Sequence, residues 1–286
     1  MGTYVEVPKF KHLLGNCFVF DLEYIGTTSD LNDCYIWDMA FTHLISGATF
    51  EISIEPNITP LPPPFSEEFI AVTPTLLQQR KATSFANAWL QINQFINSVK
   101  TCATGPTVFF AHNCFKSDKL MLEIDCTRND IRMPYSWYFF DSLIYCRKVI
   151  VKQASYTLND LHMYMFNAPI PNHHFAVADA LALKNVLIAL DLNLLEGPIY
   201  PSYHTSLQAI KWLGPSSERI LFYHSIRSVE MLVQQILLHY CDRQLNHMHV
   251  PLQQFLESYF IENYGIKKGN ATSISNSLIQ KWIKGI

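Results

Sequence analysis

Two acidic residues interrupt an apolar segment near the start of the chain. Asp21 and Glu23 lie two residues apart in FVFDLEYIG, which otherwise reads as a buried strand. Side chains two apart on a strand point the same way, so both carboxylates leave on one face. Two like charges in a buried setting are unfavourable unless a positive group lies beside them. The pair therefore predicts a bound cation or another positive partner.

Further polar residues stand where predicted strands end and predicted helices begin. In AHNCFKSD an apolar strand is followed by a histidine and an asparagine, and an aspartate opens the next helix. WYFFD ends on an aspartate, and HHFAVAD opens a helix rich in alanine and leucine. These positions are His112, Asn113, Asp118, Asp141, His174 and Asp179.

Four of these acids form a donor set for hard metal ions. Asp21, Glu23, Asp118 and Asp179 would supply carboxylate oxygens, which Mg²⁺ prefers. Two such ions can clamp the attacking and leaving oxygens of a phosphoryl displacement. A histidine nearby can take the proton of the attacking water.

The order of the predicted elements indicates an α/β domain with a mixed sheet. Three strand-like runs separated by turns predict an antiparallel meander, and strand–helix alternation follows to about residue 195. Helical periodicity begins at FANAWLQINQFINSV; later helices are predicted over about 116–124 and in TLNDLHMYMF, which Thr157 or Asn159 would cap.

We place the domain boundary at a segment rich in proline. Residues 1–196 form the α/β domain, EGPIYPSY marks a linker at 197–204, and residues 205–286 contain only helical patterns. A small all-α C-terminal region is therefore expected.

Composition limits the class of protein. The chain of 286 residues has a formal net charge of -3, so no general basic field would attract nucleic acid. Its seven cysteines are scattered singly, and no apolar run is long enough to cross a membrane. These features predict a soluble intracellular protein without a membrane partner.

Taken in order, the motifs resemble the DEDDh branch of the DEDD superfamily of 3′-to-5′ exonucleases. FDLEYIG is similar to that family's first motif, AHNCFKSDKLML to its second, and HHFAVADALAL to its third. In the third motif a histidine stands five residues before the last aspartate, which selects His174 over His173. FFDSL also resembles the strand that precedes the third motif. The second motif departs from the family, because Ser117 stands where an aromatic residue is common and leaves Phe115 as the packing candidate.

The resemblance implies a fold and a mechanism. The fold would be a ribonuclease H-like mixed five-stranded sheet flanked by helices. Two Mg²⁺ ions, replaceable by Mn²⁺, would be held by Asp21, Glu23, Asp118 and Asp179, with Asp21 bridging both. His174 would deprotonate the water that attacks the terminal phosphodiester and releases a nucleoside monophosphate.

The same resemblance suggests substrate contacts. The 3′-terminal nucleotide would border the first motif, and Asn113 would lie near the substrate strand. The first-motif residues implied are Leu22, Tyr24, Ile25 and Gly26. In the segment FIAVTPTLL, relatives carry a substrate-contacting turn whose residues this chain lacks.

The C-terminal region resembles a helix-hairpin-helix motif between Leu207 and Leu237, with Leu213-Gly214-Pro215 as the hairpin. Such a hairpin can bind a DNA phosphate through backbone amides. Trp212 stands where a first glycine is usual, and a plain helical bundle is the alternative. We therefore expect nucleic acid with a free 3′ end as the partner, DNA before RNA. The alternatives are an exoribonuclease that trims RNA 3′ ends and a non-catalytic nucleic-acid-binding or polymerase-associated subunit.

Overall fold

The computed structural model describes residues 5–7, 13–26, 33–64, 69–103, 105–192, 197–202, 207–224, 226, 228–245, 251–281 and 283. The chain divides after Ser202 into two compact units.

A seven-stranded mixed sheet forms the centre of the first unit. Its strands are β1 (Val5–Val7), β2 (Cys17–Ile25), β3 (Tyr35–His43), β4 (Thr49–Ser53), β5 (Thr107–Ala111), β6 (Trp137–Asp141) and β7 (Gly197–Pro201). Their order is β1-β7-β6-β5-β2-β3-β4. The predicted α/β class and the ribonuclease H-like five-stranded arrangement are confirmed in β6-β5-β2-β3-β4, which β7 and β1 extend.

The predicted meander is also confirmed. β3 pairs antiparallel with both β2 and β4, whereas β5 runs parallel to β2 and β6 runs parallel to β5. Because β2, β5 and β6 are parallel, their carboxyl ends meet at one edge of the sheet. The first motif in β2, the second motif after β5 and Asp141 at the end of β6 are thereby brought together, and α6, which packs on β2 and β3, adds the third motif.

The described residues of this unit form six α-helices: α1 (Pro74–Gln79), α2 (Phe85–Val99), α3 (Asp118–Arg128), α4 (Ser142–Val149), α5 (Leu158–Phe166) and α6 (Ala176–Ala189). Thr157 is the residue that caps α5, since its side chain accepts a hydrogen bond from the Asp160 N–H at 3.2 Å. The predicted helix at 116–124 starts two residues later, because the N–H groups of Lys116 and Ser117 close a turn on the Asn113 carbonyl.

The two faces of β2 explain where its acids point. Cys17 and Val19 belong to the buried cluster that α6 also joins, whereas Phe18 and Phe20 stack with aromatic rings on the opposite face. Side chains alternate along a strand, so Asp21 and Glu23 continue the face of Val19. They emerge where α6 begins, and α6 packs across β2 and β3.

The predicted linker at 197–204 needs correction. Gly197–Pro201 forms β7, which pairs antiparallel with β6 and with β1. Its prolines suggested a connection, but a strand with few ladder bonds tolerates proline where no N–H is required. The compact unit accordingly extends to Ser202.

The second unit is helical over its described residues, as predicted. It contains α7 (Pro215–Tyr223), α8 (Val229–Leu245), α9 (Leu252–Tyr264) and α10 (Lys268–Lys281), packed around a cluster that includes Leu232, Phe255 and Ile274. The expected first helix of the hairpin is only a 3₁₀ turn, Leu207–Ala209, and Trp212 has a positive φ of 72°. No helix among the described residues has the length and apolarity needed to cross a membrane.

Candidate active site

A cavity of about 410 Å³ opens at the carboxyl edge of the parallel strands. Four of the predicted acids and both histidines of the third motif line it. The lining residues are Asp21, Leu22, Glu23, Tyr24, Cys34, Phe69, His112, Ser117, Asp118, Leu158, His173, His174 and Asp179. Residues about 160 positions apart in the chain thus face one space.

Three carboxylates converge closely in this cavity. One oxygen from each of Asp21, Glu23 and Asp179 lies within 4.8 Å of the others. The first two come from β2 and the third from the first turn of α6. The local twist there is increased by a bulge, since β2 and β3 shift register between Glu23 and Tyr24.

The fourth acid is tied to the first motif through the backbone. The N–H of Leu22 donates to Oδ1 of Asp118 at 3.0 Å, and the Asp118 side chain is buried at the start of α3. Beside it, the hydroxyls of Tyr24 and Ser117 lie 3.3 Å apart. Phe115, the predicted packing residue of this motif, is buried.

The acids raise one another's pKa. Burial, and then the charge of Asp118, raise the pKa of Asp21 well above its usual range. Burial and the charge of Asp179 raise the pKa of Glu23 to about 9, and Glu23 shares a hydrogen bond with Asp179. Burial raises the pKa of Asp118 to about 7 against the stabilising hydrogen bond from Leu22. Without a positive partner, the cluster therefore favours the protonated over the charged form of these carboxyl groups.

The third motif reaches the cavity through a tight turn. Nδ1 of His173 lies 2.7 Å from Oδ1 of Asp179, and the backbone N–H of His174 donates to Oδ2 of the same carboxylate at 3.0 Å. The two imidazole rings stack with their centroids 3.9 Å apart, and the centroid of the His174 ring lies 4.3 Å from that of the Phe69 ring. His174 has a φ of 70°, a left-handed value that a non-glycine residue adopts at an energetic cost.

Two further polar residues of the predicted constellation hold the backbone around the site: Asp141, which does not line the cavity, and His112, which does. Asp141 caps α4 by accepting the Leu143 N–H at 2.9 Å, and it also accepts the Phe115 N–H at 3.4 Å. His112 lies 2.7 Å from the Tyr156 carbonyl oxygen, and burial lowers its pKa to about 4. Both residues fix loops that border the cavity.

The predicted substrate contacts divide into two groups. Leu22 and Tyr24 line the cavity, whereas Ile25, Gly26 and Asn113 do not. Ile25 packs in a small buried cluster with Trp37. At Gly26 a Cβ would lie 2.4 Å from the Asp33 carbonyl oxygen, so the glycine allows two backbone segments to pack closely.

Some residues that line the cavity were not predicted from the sequence. Phe69 lies in the segment FIAVTPTLL, where no substrate contact was assumed, yet its ring lines the cavity beside His174. Cys34 and Leu158 were not singled out either. An apolar residue in a loop carries no periodic signal, so only spatial proximity reveals it.

The residues present fit divalent cations. Converging carboxylates with raised pKa values need a positive partner, and oxygen donors suit Mg²⁺ or Mn²⁺ better than soft metals. The alternative group, His173, His174 and Asp179, also has ligand atoms within 4.8 Å. It shares Asp179 with the carboxylate group.

Comparisons with known proteins agree with this geometry. The family model described as Exonuclease (RNase_T) matches residues 18–187. No curated protein matches the sequence significantly.

Solved structures share the fold at low identity. The nuclease domain of 3′hExo, a DEDDh family member, bound to rAMP, has a TM-score of 0.52 at 11% identity, covering 63% of this chain and 95% of that one. The structure on 3′-end specific recognition of a histone mRNA stem-loop by a 3′-exonuclease has a TM-score of 0.52 at 11% identity, covering 63% of this chain and 65% of that one. A full-length 3′-exonuclease has a TM-score of 0.50 at 12% identity, covering 63% of this chain and 62% of that one.

The family model spans more than half of the chain and all three motifs, and these structures have the same fold. The protein therefore belongs to the exonuclease family, with the fold of the DEDDh 3′ exonucleases.

Proposed function

We propose that the protein hydrolyses nucleic acids from the 3′ end and releases nucleoside monophosphates with the help of divalent cations. The observation that carries the proposal is the convergence of Asp21, Glu23 and Asp179 within 4.8 Å in an open cavity. Asp118, tied to the Leu22 N–H, completes the set. Four acids crowded in this way, two of them buried and two half-buried, are unfavourable for stability alone, so a cation-dependent role is the simplest reason to keep them.

Two Mg²⁺ ions, or Mn²⁺ in their place, are the proposed cofactors. Asp21, Glu23 and Asp179 would hold one ion, and Asp118 with Asp21 the other. Bound there, the cations would stabilise charge on the scissile phosphate and lower the pKa of water.

His174 is the proposed general base. It would take a proton from the attacking water; the water oxygen would bond to phosphorus, the bond from phosphorus to the departing 3′ oxygen would break, and that oxygen would take a proton from solvent to become the new 3′-hydroxyl. Support comes from its place in the cavity and from its backbone bond to Asp179. His173, whose Nδ1 lies against Asp179, would orient that carboxylate.

The cavity walls suit a terminal nucleotide. Leu22, Tyr24 and Phe69 present apolar surface beside the acids, where a base and sugar could pack. Ile25 and Gly26 would not contact the nucleotide; they would fix the end of β2, the strand that carries Leu22 and Tyr24. Asn113 would shape the turn that leads into Asp118, since its carbonyl accepts from Lys116 and Ser117.

The proposed activity has two candidate substrates, DNA and RNA. The preference for DNA depended on a helix-hairpin-helix, and its first helix is only the turn Leu207–Ala209. A second candidate, an exoribonuclease, is favoured by the structural neighbours, one bound to rAMP and one recognising a histone mRNA stem-loop. Discrimination would depend on contacts to the 2′-hydroxyl.

One experiment tests the activity and the substrate together. Single-stranded DNA, duplex DNA and RNA of matched sequence, labelled at the 5′ end, are incubated with Mg²⁺, Mn²⁺ or chelator. We expect a ladder that shortens from the 3′ end and requires metal. The RNA and DNA arms, compared at equal concentration, decide between the two candidates.

The control variants share one chemistry. Asp21→Asn removes a charge inside the cavity, whereas Asp130→Asn makes the same change at an exposed position after α3. Loss of the ladder in the first variant alone supports the proposal. Absence of metal-dependent degradation of all three substrates by the wild-type protein would favour the non-catalytic binding subunit.

A further inference from the structure

The helix that carries Asp179 begins without a cap of its own. Its N-cap residue is Phe175, whose side chain offers no acceptor for the first N–H groups. The N–H of Ala176 instead donates to Oδ2 of Asp38 at 3.3 Å. A carboxylate from β3 therefore supplies the acceptor and the negative charge that a helix N-terminus favours.

Asp38 is in turn held by a buried hydrogen-bond network. Nη2 of Arg80 donates to Oδ1 of Asp38 at 2.9 Å, and Nε of Arg80 donates to the Ser53 hydroxyl at 2.6 Å. The Ser53 hydroxyl donates to the same Oδ1 at 3.0 Å. The Asp38 side chain has no exposed surface. One carboxylate oxygen is thus used by α6 and the other by Arg80 and Ser53.

The same arginine also contacts the residue before the helix. Its guanidinium carbon lies 5.1 Å from the ring centroid of Phe175 and 6.0 Å from that of Trp37. These two rings meet edge to face at 6.1 Å. Phe175 directly follows His174 in the chain, so Arg80 constrains the turn as well as the helix start.

We propose that Asp38 and Arg80 are a positioning pair for the third motif. The pair fixes the start of α6 against β3 and so sets the distance from Asp179 to Glu23, the strand residue that lies opposite Asp38 in the sheet. Neither residue lines the cavity, so both act through the residues that do. The inference deepens the proposed function and rests on it.

The contacts of Arg80 depend on the planar shape of the guanidinium group. Its planar fork bonds Ser53 and Asp38 at once while its face covers Phe175, whereas a lysine has one ammonium group for all three tasks. Arg80→Lys therefore keeps the charge and removes the geometry. Glu51→Gln is the matched control, because Glu51 lies 3.5 Å from the same Nη2 and its side chain is half exposed.

Three measurements test the pair: kcat and KM on a labelled oligonucleotide at saturating metal, Mn²⁺ binding to the substrate-free protein by calorimetry, and urea unfolding. For Arg80→Lys we expect kcat and Mn²⁺ affinity each to fall about tenfold, as for other residues that orient metal ligands. KM should stay within about twofold of the wild-type value, because Arg80 does not line the cavity and the contacts that bind substrate in the ground state are unchanged. Glu51→Gln should match the wild type in all three.

Wild-type kcat and Mn²⁺ affinity in Arg80→Lys would overturn the inference, as would equal losses in Glu51→Gln. If Arg80→Lys is unfolded at the assay temperature, Ser53→Ala decides. It removes one hydroxyl from the network and should lower kcat about threefold at unchanged KM, a smaller effect than losing a charged partner; no change would count against the pair. A wild-type protein without nuclease activity would overturn the proposed function, whereas an active wild type with an equally active Arg80→Lys would overturn the positioning pair alone.

Discussion

The two walls of the cavity are built in different ways. The strand wall consists of Asp21 and Glu23 on β2 with Asp118 bonded to the Leu22 N–H. The helix wall consists of His173, His174 and Asp179, in the turn before α6 and in its first turn. Both walls supply charge to one site, yet different interactions hold them.

Sheet pairing holds the strand wall. Asp21 lies opposite Ala40 and Glu23 opposite Asp38 in the antiparallel ladder, and β5 pairs with the other edge of β2. A slip of one residue would turn every side chain to the opposite face, so the register of the acids is strongly fixed. The register sets the direction of Asp21 and Glu23, and the hydrogen bond from the Leu22 N–H holds Asp118.

Side-chain bonds hold the helix wall. Asp179 accepts from the His174 backbone and pairs with His173, while Asp38 accepts from the first residue of α6. Each of these bonds depends on one carboxylate. Replacing a carboxylate by an uncharged amide should therefore lower only the catalytic rate when the residue lies on the strand wall. On the helix wall the same change should lower the rate and also disturb the local structure.

The largest expected effect is the loss of one acid from either wall. Asp21→Asn and Asp179→Asn should each lower kcat about a thousandfold, since several kcal/mol of charge stabilisation is removed. Amide exchange at residues 173–176 should become faster only in Asp179→Asn, as measured by hydrogen–deuterium exchange. Equal exchange in the two variants would break the comparison.

The next effect separates the two histidines. His174→Ala should lower kcat about a hundredfold, as expected when a general base is removed, with Mn²⁺ binding retained. His173→Ala should have a smaller effect on kcat and should weaken Mn²⁺ binding, because its partner is Asp179. Steady-state kinetics and calorimetry measure both. A fully active His174→Ala beside an inactive His173→Ala would reverse the assigned roles.

Metal-free stability should fall as pH rises. The folded-state pKa of Glu23 is about 9 and that of Asp118 about 7, both above the unfolded values of about 4.3 and 3.9. A raised carboxyl pKa favours the folded state below the unfolded pKa, and this contribution is lost as pH rises through the folded value.

Thermal unfolding in chelator should therefore give a lower Tm near pH 9 than near pH 6. Mg²⁺ should recover most of the difference, since it binds the folded state. In Asp21→Asn, which has one charge fewer, the decline should be shallower. A Tm that rises with pH in chelator would contradict the charge assignment.

The smallest effect concerns the hydroxyl contact on the strand wall. Ser117→Ala removes the partner that lies 3.3 Å from the Tyr24 hydroxyl. Because the sheet fixes Tyr24, we expect kcat within about threefold of wild type and a loss of about 1 kcal/mol in unfolding free energy. Urea unfolding and kinetics check this; a loss like that of Asp179→Asn would show that side-chain bonds also aim the strand wall.

Much of the fold was predictable because its signals are local. Strand-like runs separated by turn residues predicted β2 to β4, helical periodicity predicted α2, and Thr157 was one of two predicted caps of α5. The short strands β1 and β7 were missed because each depends on pairing with a distant segment and β7 carries two prolines. Local composition does not encode such pairing.

Residue types and their spacing were enough to identify the acids, their order along the chain and the elements that carry them, because spacing decides which face a side chain takes. The third motif, by contrast, is oriented by tertiary contacts. Its bonds join His173 to Asp179, and Asp38 with Arg80 to the start of α6. These contacts link residues far apart in the chain, and a hydrogen bond depends on distance and angle in space.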